Sequence, residues 1–394
     1  VSLQATPFGL FLEAPPPPVD WLVPGLIPAG VPGVFASQPN AGKSFLALQL
    51  CVSVATGTGY LGFGIGSKPR GAMFLSLEDP EEAVHRRFRA VADALRAAGT
   101  WSDEIESHLR NAVLLTPAWG QGEEPATTYL PHLMPALEEG IAKFAEREIP
   151  PGILIIDTLN QASGGDENSA KDSRPVITAC FELAGRHGWT PLLLHHVAKN
   201  QTGARSNEKR SLDDRMSPDW LRGSSAIHGA ARYILQLAAL LPAEAEKLGL
   251  DGEKARRGGY QIFGNTKQSM GPRGAWTLLE QIDSGEPGAG TWTQHPHAVD
   301  LLAQMKGGRA VEELSRLDLL LVELYRTARA KAEPDRKALA EQMYAGAKDP
   351  AHSLRSGLAR LRTMGFVQRQ SLLVTPAGWD RGRELSQRDA SGDA

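Results

Sequence analysis

Beyond Gly33 the chain alternates short apolar runs with segments in which apolar residues recur at helical spacing. The runs are Gly33–Ser37, Ala72–Leu77, Ala112–Leu115, Gly152–Ile156 and Pro191–His195, with weaker ones at Ala230–Leu237 and Tyr260–Gly264. Helical spacing holds over Ser44–Thr56, Glu81–Ala98, Tyr129–Arg147 and Asp172–His187. Continuous apolar strands that alternate with helices predict an α/β fold, a parallel sheet flanked by helices. Two polar stretches interrupt this order, Ser163–Ser173 and Lys199–Asp219. The second is long for a passive connection, so it is either functional or disordered.

The same pattern sets the expected domains. Residues 1–30 are Pro-rich, with prolines at 15 to 18, and form an extended arm: a tail, or a segment that docks on a neighbouring subunit. Residues 31–282 form the sheet-containing core. Residues 283–310 read as a linker, because Gly, Pro, Ser and Thr dominate their first half. Residues 311–387 hold three helical stretches, Val311–Ala330, Arg336–Tyr344 and His352–Met364, and then a ribbon from Phe366 to Gly378. That order predicts a small winged helix-turn-helix domain. Residues 388–394 are a polar tail.

Composition narrows the classes. The 394 residues carry 42 basic and 45 acidic side chains, a net charge of −3, so any nucleic-acid surface is local. The two cysteines, Cys51 and Cys180, lie among apolar neighbours, which argues against a disulfide framework or a zinc site. No run approaches the roughly 20 apolar residues of a membrane span. With no signal-like start, the expectation is a cytoplasmic protein without membrane contact.

The strongest chemical motif is Ser37-Gln38-Pro39-Asn40-Ala41-Gly42-Lys43-Ser44, between an apolar strand and a helix. That is the context of a P-loop. The turn Pro39–Ser44, with its backbone N–H groups and the helix N-terminus, would cradle the phosphates of ATP. Lys43 would reach the β/γ-oxygens and the Ser44 hydroxyl would ligate Mg²⁺. Ser37 stands where the usual pattern has Gly.

Two acidic motifs end strands, Leu77-Glu78-Asp79-Pro80 and Ile155-Ile156-Asp157-Thr158. Parallel strands deliver their ends to one ligand edge. Asp157 fits the carboxylate that holds Mg²⁺, and Glu78 the one that orients the attacking water. A plainer reading makes Glu78 a helix-entry charge. Asp79 reads as a cap for the following helix. A further strand ends in His195-His196 without a Cys or acid at metal spacing, so the pair is not a metal site. His196 is the candidate γ-phosphate sensor, and His195 faces the sheet interior.

With these residues in place, the chain resembles the plasmid RepA-type hexameric helicases among the RecA-like ATPases. The resemblance runs from Ala14 to Gly274. It rests on the Pro-rich segment, Ala41-Gly42-Lys43-Ser44, Glu78-Asp79-Pro80, Ile156-Asp157-Thr158-Leu159, His195-His196 with Lys199, and Arg222-Gly223-Ser224-Ser225 with Arg232. It implies a ring of six subunits with ATP at the interfaces and an arginine finger given in trans. By position that finger is Arg232, with Arg222 next, and Lys267 is a second trans cation. Both also fit ordinary surface cations. It further implies that the two polar stretches face a central channel, where Lys199, Arg205, Lys209 and Arg210 would track single-stranded DNA.

The chain departs from that family by its C-terminal addition. Arg355, Arg360, Arg362 and Arg369 give residues 352–369 a basic face that could touch duplex DNA, although a winged helix also binds protein. Three functions are consistent with the sequence: an ATP-driven helicase or translocase in replication of a plasmid, phage or mobile element; an ATP-switched loader, initiator or regulator that does not unwind; and a RecA-like ring, such as a clock or signalling ATPase, with no role on DNA.

Overall fold

Runs such as Ile153-Leu154-Ile155-Ile156 have no polar face, so they are stable only with both sides covered. The computed structural model arranges them in that way. It describes residues 5–12, 15–65, 68–97, 101–117, 127–165, 169–196, 211–217, 229–271, 276–283, 290–305, 320–321, 323–329, 334–343, 349–363, 367–368 and 372–375. The chain divides into two compact units, Val1–Val299 and Asp300–Ala394.

In the first unit a hairpin of β1 (Trp21–Val23) and β2 (Ile27–Pro28) precedes the main sheet. The sheet strands are β3 (Gly33–Ser37), β4 (Ala72–Ser76), β5 (Ala112–Leu115), β6 (Ile153–Asp157), β7 (Thr190–His196), β8 (Tyr233–Ala239), β9 (Tyr260–Gln268), β10 (Thr277–Asp283) and β11 (Gly290–Gln294). Their order across the sheet is β11-β10-β9-β8-β3-β7-β6-β4-β5. From β8 to β5 every pairing is parallel, and β8–β9, β9–β10 and β10–β11 are antiparallel. This is the expected α/β sheet, parallel through its larger part and flanked by helices, with β3 inside it.

Successive residues of each parallel strand point to opposite faces. Phe35, Phe74, Ile155 and Leu194 enter one apolar cluster with Leu46, Leu50 and Val54 of α1 (Lys43–Thr56) and Val84 of α2 (Glu81–Ala97). Val34, Met73, Ile156 and Leu193 enter the other, with Leu137 and Ile141 of α4 (Leu130–Glu146) and Val176 and Leu183 of α6 (Ala170–His187). Shorter helices α3 (Asp103–His108), α5 (Leu159–Ser163) and α7 (Leu212–Arg215) lie in the connections. Among the described residues, no helix is long and apolar enough to cross a membrane.

Several expected boundaries change. The Pro-rich arm ends earlier than residue 30, because Leu22, Val23, Leu26 and Ile27 of the β1–β2 hairpin are buried in the first cluster. Asp20, at the foot of that hairpin, is ion-paired with Arg70 at 2.8 Å. The stretch read as a linker contains β11 and a helix, Ala298–Met305. Thr291 and Trp292 are buried, and the Thr291 hydroxyl donates to the Ala90 carbonyl of α2 at 3.0 Å. β10 carries no expected element at all. The first polar stretch already enters α6 at Ala170, and the second contains α7. There Ser211 and Asp214 cap each other's backbone N–H in a capping box. The rest of the second stretch, with Lys199, Arg205, Lys209 and Arg210, lies outside the described residues, as does Arg222.

In the second unit, Leu320, Leu321 and Leu324 pack with Leu339 of the helix Arg336–Met343 and with Leu354, Leu358 and Leu361 of the helix Pro350–Thr363. Val367 and Val374 form an antiparallel bridge and join the same cluster. Arg362 donates from Nε to the Gln368 carbonyl at 3.1 Å, and Arg355 is exposed. Arg360 has no described side chain, and Arg369 lies outside the described residues.

Because β11 completes the first unit, truncation should be position-sensitive. A chain ending at Met305 is expected to fold and bind nucleotide. One ending at Asp283 loses the buried Trp292, a loss on the scale of about 3–5 kcal/mol for removing a large core aromatic. Thermal melts and nucleotide titrations of the two truncated chains check this, and equal melting temperatures would contradict it.

Candidate nucleotide site

β3 ends at Ser37, which is buried and paired with His196 of β7 on one side and Leu237 of β8 on the other. Ser37 has ordinary extended backbone, so the glycine of the usual pattern is not needed there. The chain then turns. Asn40 takes a positive φ of 61°, which a short polar side chain tolerates. Gly42 takes φ 88° as the N-cap of α1. A Cβ on Gly42 would also lie 2.6 Å from the indole Nε1 of Trp292. Gly42 is therefore required by both conformation and space. Gln49 of α1 fixes the same strand by donating to the Trp292 carbonyl at 3.0 Å.

Pro39 and Asn40 are exposed, Ala41, Gly42 and Ser44 are half-buried, and Lys43 is only 5% exposed. The Lys43 Nζ lies 3.3 Å from His196 Nδ1. Asp157, at the end of β6, is 2% exposed and hydrogen-bonded by the Ser44 side chain. Its Oδ1 is buried without a hydrogen-bond partner. A buried carboxylate oxygen with unused acceptor capacity, beside a hydroxyl, is the donor set a hard divalent cation takes. The residues present therefore fit Mg²⁺ held by Ser44 and Asp157. Exposed Glu78 lies close enough for its charge to act on Asp157. His195 is buried, as expected.

Asp79 behaves differently from its reading as a cap. Its carboxylate is ion-paired with Arg87 of α2, and its carbonyl accepts from the Ser76 hydroxyl at 2.7 Å. Arg87 and Trp292 are invisible to motif reading, because neither belongs to a pattern that carries chemistry.

The structure brings Lys43, Ser44, Glu78, Asp157 and His196 to one edge of the sheet. Arg232 and Lys267 are elsewhere. Arg232 immediately precedes β8, whose Tyr233 pairs with Gly33 at the start of β3. It therefore lies at the opposite end of the strands from the P-loop, about 17 Å of extended chain away at roughly 3.3 Å per residue. Its guanidinium is 5.8 Å from the ring centroid of Phe181. Lys267 joins it there, through the pairing of Ile234 with Lys267. Burial, and next the charge of Arg232, lower the pKa of Lys267. The two cations form one group on that edge.

Burial raises the pKa of Asp157 from its ordinary carboxylate value. The Ser44 hydrogen bond and then the Lys43 charge oppose the rise, while Glu78 and Asp79 add to it. A carboxyl whose pKa is higher folded than unfolded favours the fold at low pH, and that contribution is lost as pH rises through the folded value. Above that folded value the ionised Asp157 thus costs stability in the nucleotide-free protein. Asp157→Asn is expected to raise its melting temperature at pH 7, by roughly 2–4 °C per kcal/mol relieved. The same variant should lose the further rise that Mg²⁺ with ATP gives the wild type. Thermal melts with and without Mg²⁺–ATP check both, and an unchanged or lower nucleotide-free melting temperature would contradict the first.

The family model described as AAA domain matches residues 1–202, a span that includes the P-loop, Glu78, Asp157 and His196 and stops short of Arg232 and Lys267. Among solved structures the chain is similar to one titled as an ATPase domain, at 15% identity and a TM-score of 0.43, over 66% of this chain and 84% of that one. It is also similar to a DnaB-like replicative helicase described with its interactions with primase, at 16% identity and a TM-score of 0.44, over 67% of this chain and 57% of that one. With its phosphate loop, paired acids and parallel sheet in place, the chain belongs to the AAA domain family of P-loop ATPases.

Proposed function

We propose that this protein is an ATP-driven helicase or translocase that works as a ring, of six subunits, on single-stranded DNA in replication of a plasmid, phage or mobile element. The observation that carries the reading is the split of the site. Lys43, Ser44, Glu78, Asp157 and His196 share one sheet edge, while Arg232 and Lys267 share the opposite one. A subunit built this way holds phosphates but, among its described residues, keeps Arg232 and Lys267 away from the charge that develops as the γ-phosphoryl leaves. In a head-to-tail ring, each subunit offers its Arg232 edge to the next subunit's P-loop edge.

In that arrangement Lys43 holds the β/γ-oxygens and Glu78 orients the attacking water. His196, already against Lys43, senses the γ-phosphate and passes its loss to the segment after β7. Mg²⁺ bound by Ser44 and Asp157 would neutralise phosphate charge. Arg232 of a neighbouring subunit stabilises the transition state, with Lys267 beside it. DNA would be tracked by Lys199, Arg205, Lys209 and Arg210. The segment that carries them leads into α7, where the buried Arg215 is bonded to Glu244 and to the Ala239 carbonyl.

A second reading is an ATP-switched loader, initiator or regulator that does not unwind. The separate core of the second unit favours it. If that unit is a winged helix-turn-helix, the exposed His352 and Arg355 would face duplex DNA. Strand displacement separates the two readings.

Subunit mixing tests the ring. Arg232→Ala should bind ATP normally and hydrolyse it poorly, because a finger acts on transition-state charge. Glu78→Gln should also bind and fail to turn over. Mixed in equal amounts after proven subunit exchange, the two should recover up to about a quarter of the wild-type rate, the share of randomly paired interfaces with both groups intact. A flat rate across mixing ratios would remove Arg232 from the site. Single-stranded DNA should stimulate the wild-type rate, and no stimulation would count against the DNA motor.

A further inference from the structure

Arg87 stands outside every motif that led to the site, yet it touches both halves of it. Its Nη1 donates to Asp79 Oδ2, and both side chains are about three-quarters covered. Its guanidinium lies over the ring of Phe45, 5.6 Å from the centroid. Phe45 directly follows Ser44 at the head of α1, and Asp79 directly follows Glu78. The Glu78 turn is otherwise held by itself and by the neighbouring β6. Ser76 Oγ donates to the Asp79 carbonyl, and the Leu77 N–H donates to the Asp157 carbonyl at 2.7 Å. The turn follows β4 and the phosphate loop follows β3, and the sheet order places β7 and β6 between those strands. One guanidinium thus bridges two catalytic carriers that the sheet keeps apart.

We propose that Arg87 is a positioning residue for ATP hydrolysis: its hold on Asp79 and on the Phe45 ring sets where Glu78 stands relative to Lys43 and Ser44. The proposal rests on the ATPase reading and extends it to a side chain that need not touch nucleotide or water. The charge balance agrees. Glu78, Asp79 and Asp157 converge on one edge, and like charges held close repel. Arg87 compensates Asp79, and Lys43 with Ser44 compensates Asp157. Glu78 has no ion-pair partner among the described residues, so it keeps its charge available for a water. An ordinary surface ion pair would contribute little to stability and nothing to turnover. A displacement of about 1 Å in a water-orienting group costs catalysis far more than binding.

The test uses the full chain as wild type, Arg87→Met, Arg87→Lys, Asp79→Asn and the Arg87→Met/Asp79→Asn double variant. Turnover, the Kd of a fluorescent ATP analogue and the melting temperature are measured for each. The Met variant keeps the stem over Phe45 and removes the charge. The expected result is a Kd within about twofold throughout, with kcat down about tenfold or more in Arg87→Met and in Asp79→Asn. Lysine should restore part of the loss. The double variant should be no slower than the slower single, because both remove one interaction. Wild-type kcat in Arg87→Met would overturn the proposal. So would losses that multiply in the double variant, or a defect confined to melting temperature and Kd. Glu78→Gln separates the two claims. If it is inactive and Arg87→Met is fully active, only the Arg87 role fails. If Glu78→Gln turns over normally, the site reading fails and the Arg87 proposal falls with it.

Discussion

Keeping two ionisable side chains, Lys43 and Asp157, buried together at a dry sheet edge is the constraint on which the rest of this structure depends. Both are ionisable and nearly inaccessible. Neither location favours stability, since burial works against the charged form of each. Each needs a rigid support that keeps its few partners in reach: His196 and Asp157 near Lys43, and Ser44 and Lys43 near Asp157. A parallel sheet covered on both faces supplies that support. Its strand ends are fixed by pairing on both sides, and its apolar clusters leave the side chains at those ends little freedom. The alternating strands and helices of the chain follow from this requirement.

The phosphate loop depends on a strand from the far end of the first unit. Gly42 needs its positive φ, and it also needs to lack a Cβ because Trp292 lies against it. Gln49 binds the same tryptophan through its carbonyl, across 243 positions of sequence. The antiparallel end of the sheet therefore serves the site as well as the fold. It presses an aromatic ring onto the loop whose backbone would receive phosphate.

Legibility in the sequence follows burial. Strands β3 to β7 are plain because both faces are apolar, as in Ile153–Ile156, and the helical spacing marks α1, α2, α4 and α6 to within two residues at each end. β10 and β11 have only part of their surface buried, and Thr277–Asp283 and Gly290–Gln294 mix Gly, Thr, Glu and Gln with a few large apolar residues. Such a pattern looks like a linker until the partner surface is known. The P-loop and the acids at strand ends are legible because their chemistry needs residues adjacent in sequence. Arg87 is not. Four arginines, at 86, 87, 89 and 96, share that helical stretch, and only packing against Phe45 and Asp79 selects Arg87. The capping box of Ser211 and Asp214 has readable spacing, but the polar residues around it hide the signal.

Arg232 shows where sequence and fold have to be combined. Its identity as a candidate comes from resemblance, and its address comes from register. β8 runs parallel to β3, so the residue before β8 is carried to the end of the sheet away from the P-loop. β9 runs back, so Lys267 returns to that same end beside it. Burial, and next the neighbouring charge of Arg232, lower the pKa of Lys267, an arrangement that stability alone would not favour. An anion arriving between them would relieve that repulsion, whereas in the proposed reading their own subunit's phosphates would be held at the other edge. In the reading proposed here, a chain that separates its phosphate cradle from this pair of cations needs a second copy before its chemistry is complete, and that need couples ATP turnover to assembly of the ring.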